Sequence, residues 1–398
     1  MSETKPLKRK KVLIFSLAYE PLIGGAEVAV RQITDHLTEI DFDLLTVCFD
    51  DKLPRTEKIG RCQVYRLGFS VKQNPNLNQE SFWFKINKYL FPFNAYVKAF
   101  LLHREKSYSA TWAIMANYAG FAALFFKWFN PKTPFILTLQ EGDKFEYIKR
   151  RVGIFWPLYK AIFRQADFVQ AISNYLADYA LKIGFKGKPI IIPNGVEIAS
   201  FLKEFPKNEL FALRQKLVAD TDDVIITTSR LVVKNGVADL IFALSYLPFK
   251  TKLLILGTGN QLENLKRTAE DLGVKDRVIF LGSVPNSEVP KYLKIADVFV
   301  RPSLSEGLGN SFIEAMASGL PIVGTPVGGI VDFLKDDETG LFCEVENPQD
   351  IAAKIKTLLV SRDLWQRLAR NGREVALKNY DWTNLVERFR SEIFDKIV

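Results

Sequence analysis

The chain is poor in the residues that most often do chemistry unaided. Of its 398 residues, three are cysteine and two are histidine. Cys48, Cys62 and Cys343 are odd in number and widely spaced, which argues against a disulfide framework and for a reducing, cytoplasmic compartment. His36 and His103 lie far from each other and from the cysteines, so no metal-ligand cluster of familiar spacing is present. Long apolar runs are missing too. The longest, 112–126, contains Asn117 and is shorter than the roughly 20 residues that a bilayer-spanning helix needs. Lys8-Arg9-Lys10-Lys11 before VLIFSLA (12–18) imitates the front of a signal peptide. That run is short, and Glu20-Pro21 and Gly24-Gly25 follow with no small-residue cleavage site, so we read it as a buried first strand behind a solvated basic tail.

What is present is an ordinary globular composition, 48% hydrophobic and 25% charged, which excludes a disordered chain. The length suits two domains of about 200 residues each. The net charge of +9 is one-sided: residues 1–198 hold 28 Lys and Arg against 18 Asp and Glu, and the rest hold 26 against 27. Such a first half is either a solubilising surface or a face for an anionic partner.

Short β-branched and aromatic runs alternate with helical patterns throughout. In the first half VLIFSL (12–17), LLTVCF (44–49), TWAIMAN (111–117), FILTL (135–139), FVQAIS (168–173) and IIIP (190–193) read as strands, with helices at 26–39, 83–103, 119–128, 153–164 and 174–183. The second half repeats the scheme with VIITTS (224–229), KLLILG (252–257), RVIFLG (277–282), DVFVRPS (297–303) and PIVGT (321–325). Continuous apolar strands between helices predict an α/β fold of two doubly wound, Rossmann-like parallel sheets. The expected domains are 1–198 and 199–378, with the break at PNGVEI (193–198), and a closing helical segment at 379–398.

Open sheets of this kind bind ligands at the carboxyl ends of their strands. Glycine pairs fall there four times, at Gly24-Gly25, Gly257-Thr258-Gly259, Glu306-Gly307-Leu308-Gly309 and Gly328-Gly329. One such pair is a turn; four at one edge point to a phosphate-lined cleft between two domains. The stretch SEGLGNSFIEAMASG (305–319) adds two carboxylates, with Glu314 interrupting an apolar helical face. Asn310 or Ser311 is the expected cap of that helix and Gly319 its far end. Its N-terminus is a ready site for a diphosphate, with Glu306 and Glu314 reaching hydroxyls on either side. The alternative for Glu314, placed in the first turn, is a carboxylate balancing the positive end of the helix.

SEGLGNSFIEAMASGLPIVGTPVGG resembles the Glu-x7-Glu signature of the retaining nucleotide-sugar glycosyltransferases of family 4, which have the GT-B fold. The resemblance extends over YEPLIGGAEVAVRQITDHL (19–37), ADFVQAIS (166–173), IIPNGVEI (191–198), SRLVVKNGVADLI (229–241), FLGSVPNSEVPKYLKIADVFVRPS (280–303) and YDWTNLVERF (380–389). It implies that Glu306 contacts the transferred sugar together with backbone N–H groups of Gly307, Leu308, Gly309 and Asn310, beside Ser311. Glu314 would hold the ribose, Arg230 would neutralise the diphosphate, and Gly24, Gly25 and Gly257 would let backbone approach the donor. Val284 would lie beside the base, and the closing helix would pack back on the first domain. Two departures matter. The family usually has a diphosphate-binding lysine where this chain has Asn235, with Lys234 one residue earlier. A histidine that the family often carries after the strand matching FILTL is replaced by Gln140, which can donate a hydrogen bond to the sugar but cannot titrate. Asp143 is the next candidate near the acceptor, or else a cap. The resemblance implies no cofactor beyond the nucleotide-sugar, and no metal.

Asp41-Phe42-Asp43 matches the Asp-x-Asp pattern of metal-dependent transferases, but it precedes a strand instead of ending one, so surface charge is the expectation. Residues 81–106 and 144–164 interleave aromatics with lysine and arginine. They form either core with solvated edges or a face for an anionic membrane presenting a glycan or lipid-linked acceptor. No nucleic-acid module accompanies them. Two other classes remain at this point: a nucleotide-sugar epimerase, which would need acid and base groups around the sugar, and a non-catalytic nucleotide- or membrane-binding protein.

Overall fold

The computed structural model describes residues 9–22, 24–71 and 82–397. The basic tail up to Lys8, and Ser81 at the start of the aromatic stretch, lie outside the described residues. The chain divides into two compact units: one runs to Asn194 and takes in the residues from Thr383 onward, and the other is Gly195–Trp382.

The first unit is built on strands β1 (Lys10–Phe15), β2 (Ile40–Val47), β3 (Thr56–Ile59), β4 (Cys62–Leu67), β5 (Ala110–Ile114), β6 (Phe135–Leu139), β7 (Phe168–Ala171) and β8 (Ile190–Ile191). They lie in the order β3-β4-β2-β1-β5-β6-β7-β8, parallel except for the β3–β4 hairpin. β5 and β6 are buried along their whole length, as expected for strands covered on both faces. The hairpin, by contrast, alternates exposed with half-buried positions in β3 and buried with half-buried ones in β4. The order reverses between β1 and β5, so the loops after those two strands flank the switch point where such sheets bind ligands.

The second unit repeats the plan with β9 (Asp223–Thr228), β10 (Thr251–Leu256), β11 (Val278–Gly282), β12 (Val298–Arg301), β13 (Ile322–Gly324) and β14 (Leu341–Phe342), in the order β11-β10-β9-β12-β13-β14. Its switch point lies between β9 and β12. On one face, Leu240, Ile241 and Leu244 of the helix Val237–Leu244 pack with Ile225, Leu253, Ile255 and Val298 of the sheet.

Two expectations change. Asp41-Phe42-Asp43 lies inside β2. Asp43 is buried and not surface charge: Lys106 donates to it at 2.6 Å and the Tyr108 hydroxyl also bonds it. Asp41, two residues earlier on the same face of the strand, lies nearer its open end and pairs with Arg9 at 3.5 Å. The helix expected at 153–164 is one of a pair, Phe145–Val152 and Trp156–Gln165, broken at Gly153, whose φ of +55° suits glycine.

The closing segment completes the core of the first unit. Phe394 is almost fully buried, with ring centroids 6.1 Å from Phe42 and 5.7 Å from Trp112, and its carbonyl accepts from Lys10 Nζ at 2.8 Å. Phe394→Ala should therefore destabilise the first unit by about 3–5 kcal/mol. Hydrogen exchange should accelerate in β1, β2 and β5 while β9 and β10 keep their protection. Equal loss in both sheets would contradict this division of the core.

Candidate functional site

In the second unit the loops leaving β9, β10, β12 and β13 meet at the carboxyl edge, and glycine allows the meeting. Gly257 has a φ of +141°, and a Cβ there would overlap the carbonyl oxygen of Ser229; one on Gly328 would overlap that of Glu306. Backbone hydrogen bonds tie the same loops: Leu231 N–H to Thr258 O at 2.9 Å, Leu304 N–H to Lys234 O at 2.7 Å and Gly329 N–H to Glu306 O at 3.2 Å. These two glycines thus serve loop-to-loop packing, a role the glycine pairs alone did not reveal.

The helix Asn310–Ala317 begins from this cluster. Its N-cap is Gly309, at φ +95°, and not Asn310 or Ser311. Side chains at Gly309 would press on Phe312 and on Glu306 Cγ, so the tight turn selects glycine over a polar cap. Gly319 closes the helix at φ +82°, its N–H on Met316 O at 2.9 Å. The first-turn N–H groups of such a helix have no intrahelical partner and attract anions. Gly307, Leu308 and Gly309 are buried in the approach to it, with Asn310 and Ser311 only partly covered.

Arg301, at the end of β12, was not singled out from the sequence, and it organises the turn. Its Nη1 donates to Ser311 Oγ at 2.7 Å, and its Nη2 donates to Asn235 Oδ1 at 3.1 Å and to Glu306 Oε2 at 2.5 Å. The Glu306 side chain is 14% exposed and that of Arg301 is 9% exposed. Asn235 is buried and donates in turn to the Arg230 carbonyl at 2.7 Å. Arg230 itself is exposed just beyond β9, with Lys234 in the same loop. The signal for Arg301 in the sequence is its place directly after the last apolar residue of a buried strand, where a charge must have a partner.

Glu314 is the fifth residue of its helix, not part of the first turn, so the macrodipole alternative loses force. Desolvation pushes its carboxyl up to about 7, with the charge of Arg301 pulling the other way. Nearby, the hydroxyls of Thr227, Thr228, Ser229 and Ser303 are buried without partners, as is Arg301 Nε. Val284 lies two residues past β11, beside the Gly257 N–H bond to Gly282 O at 2.7 Å.

In the first unit Gly24 caps the helix Gly25–His36 at the carboxyl edge of β1. Gln140 follows β6, but its amide is engaged reciprocally with Asn194, donating at 3.1 Å and accepting at 2.7 Å. Asp143 lies three residues on, partly exposed. Between them Glu141 turns inward and accepts from Ala116 N–H at 2.6 Å and Gln140 N–H at 3.0 Å. Burial raises its pKa while those N–H bonds lower it. Glu141 was also missed; nothing in TLQEGD marks which carboxylate folds back on the backbone. Among the described residues no group of three His, Cys, Asp or Glu is placed to hold a metal ion.

Comparison with known proteins places this arrangement. The family Glycosyltransferase Family 4 matches residues 23–200, and Glycosyl transferases group 1 matches residues 211–375. An uncharacterized glycosyltransferase of Methanocaldococcus jannaschii is 27% identical over 98% of this chain and 100% of its own length. The GDP-mannose-dependent alpha-(1-6)-phosphatidylinositol monomannoside mannosyltransferase of Mycolicibacterium smegmatis is 31% identical, over 56% of this chain and 61% of its own. Among solved structures, sucrose-phosphate synthase from Thermosynechococcus elongatus is similar with a TM-score of 0.81 at 20% identity, covering 98% of this chain and 99% of its own. Anabaena HepE, in complex with UDP-glucose, gives 0.79 at 19%, covering 97% and 99%. The fold is GT-B. The chain belongs to the family 4 glycosyltransferases, enzymes that use nucleotide-sugar donors, and none of the relatives named here is an epimerase.

The raised Glu314 value has a thermodynamic consequence. Between the ordinary 4.5 and about 7 the folded chain keeps a proton that the unfolded chain has released, so ligand-free stability falls as pH rises through that window. Glu314→Gln should remove that part of the fall. Urea midpoints at pH 5 and pH 8 check it; parallel declines in wild type and variant would show that Glu314 ionises normally.

Proposed function

We propose that the chain is a retaining, metal-independent transferase that moves a sugar from a nucleoside-diphosphate donor to a glycan or lipid-linked acceptor. The observation that carries this reading is the pair of carboxylates bracketing one helix N-terminus, Glu306 held by Arg301 before it and desolvated Glu314 behind it. In this reading the N–H groups of Gly307–Ser311 and the exposed Arg230, helped by Lys234, receive the diphosphate. Glu306 accepts from sugar hydroxyls, Glu314 from ribose hydroxyls, and main chain near Val284 and Gly257 lies by the base. A raised pKa suits Glu314 to this role, because two hydroxyl donors and a neighbouring cation favour the carboxylate once ligand is bound.

The chemistry breaks the bond between the anomeric carbon and the diphosphate oxygen and forms one to the acceptor oxygen on the same face. Charge develops on the leaving phosphate, where a fixed guanidinium and helix N–H groups stabilise it without reorganising. The acceptor proton passes to that phosphate oxygen, since Gln140 cannot take it. In the first unit Gln140 and Asp143 are our candidates for contact with the acceptor. The names of the relatives divide between GDP-mannose and UDP-glucose, so both donors belong in the test. Wild type should be stabilised by one nucleoside diphosphate, by about 2.7 kcal/mol at 100 times its dissociation constant, and Glu314→Ala much less. NMR of the transfer product should show the donor's anomeric configuration; an inverted product, or an isomerised donor with no transfer, would overturn the reading.

The acceptor side of the proposal rests on the first unit. Along the helix Phe82–Lys106, Trp83, Tyr89, Phe93 and Leu101 are half-exposed or more, and Phe129 of the helix Tyr118–Phe129 continues the patch. Lys85, Lys88 and Lys98 lie on the same long helix, while Phe91, Tyr159 and Phe163 are core. Some of these rings are thus core and others are open to solvent. Among the described residues no helix is long and apolar enough to cross a membrane. Apolar rings bordered by cations suit docking on an anionic cytoplasmic leaflet. Sedimentation with phosphatidylglycerol vesicles should show binding at low salt that weakens at high salt and on Phe93→Ser/Phe129→Ser substitution. Absence of binding at low salt would remove the membrane from the proposal.

A further inference from the structure

Glu306 is the carboxylate that the proposed chemistry sets against the sugar, and its surroundings raise a question of control. A carboxylate this withdrawn from water does not remain charged and fixed without a partner. Its partner is Arg301, which belongs to a different segment and which no role in donor binding had required.

The Arg301 guanidinium reaches three side chains on three segments: Ser311 in the first helical turn, Asn235 in the loop after β9, and Glu306 in the turn between. Phe312 supports it from one side, with 5.5 Å between the guanidinium carbon and the ring centroid. The charged or titratable groups around Glu306 are Arg301 from β12, Glu314 from the helix, and Arg230 and Lys234 from the loop after β9. Arg301 makes an ion pair to Glu306 through Nη2 and Oε2. Asn235 extends the chain of contacts, since its Oδ1 accepts from Arg301 while its Nδ2 donates to the Arg230 carbonyl. Glu306 is thereby fixed relative to the segment that carries Arg230.

We infer that Arg301 is a positioning residue for transfer: it holds the Glu306 carboxylate aimed, and through Asn235 sets its register against the Arg230 segment. This rests on the reading of Glu306 as the sugar-facing carboxylate. The planar fork matters as much as the charge, because a lysine ammonium offers no rigid two-nitrogen geometry to acceptors on separate segments. Arg301 touches neither donor nor acceptor in this account.

The test compares wild type, Arg301→Met, Arg301→Lys and Glu306→Gln with the donor that stabilises the wild type. Nucleoside diphosphate affinity, kcat and KM are measured for each. Arg301→Met should keep nucleoside diphosphate affinity near that of wild type but lose about 100-fold in kcat, the scale of a misplaced contact. Arg301→Lys, which keeps the charge but not the planar fork, should restore only part of kcat. Should Arg301→Met fail to fold, Arg301→Lys alone decides: a wild-type kcat overturns the inference, and a reduced kcat with unchanged nucleoside diphosphate affinity supports it. Wild-type kcat in Arg301→Met would overturn the inference. So would equal loss of nucleoside diphosphate affinity and kcat in both Arg301 variants, which is the mark of a structural prop. Glu306→Gln separates the two levels: full activity there defeats the reading of Glu306 itself, whereas an impaired Glu306→Gln beside an active Arg301→Met defeats only the role of Arg301.

Discussion

Backbone-to-backbone contact between loops is the constraint on which the second unit depends. At its carboxyl edge Gly257 lies against Ser229, Gly236 against Pro302 and Gly328 against Glu306, each with no room for a Cβ. Loops packed this closely cannot flex independently, so the positions of Arg230, Glu306 and the helix that follows are set together. Van der Waals contact and main-chain hydrogen bonds hold the frame, and the charged groups are mounted on it. That order of causes explains why a buried ion pair can be tolerated here. Its geometry is prepared by the backbone, and the remaining capacity of the guanidinium is largely met by Ser311 and Asn235.

The alternation of apolar runs and helical patterns made both sheets legible in the sequence, because strands covered on both faces must be continuously apolar. β5 and β6 are cases in point. β3, β4 and β14 were not anticipated. The hairpin TEKIGRCQVYRL carries polar residues on its open face, and β14 is only Leu341–Phe342. Period-two patterns at a sheet edge are weak when one face is wet, and two-residue strands have no period at all.

At the candidate site the residue types were readable and the roles of neighbours were not. Glu306 and Glu314 stood out because a carboxylate in a glycine turn or on an apolar face is costly without a purpose. The cap was misread, since Asn310 and Ser311 are good cap types but the turn tightens onto Gly309, and Ser311 is taken by Arg301. Glu141 and Asp43 were misread or passed over for one shared reason. Whether a carboxylate faces water, a cation or backbone N–H groups depends on loop paths and pleat phase, which spacing does not encode. Asn235 marked a departure from the family pattern, and only coordinates connect it to a guanidinium 66 positions away in sequence.

The return of the chain to the first unit also orders events during synthesis. The second unit is one uninterrupted stretch, Gly195–Trp382, and can close once that stretch has left the ribosome. The first unit has its sheet strands much earlier but waits for Phe389, Ile393 and Phe394, which are buried and are made after the whole of the second unit. Vectorial synthesis usually lets the N-terminal domain fold first. Here the half made first is the half finished last, and throughout translation its unfilled core is the surface that a chaperone would meet.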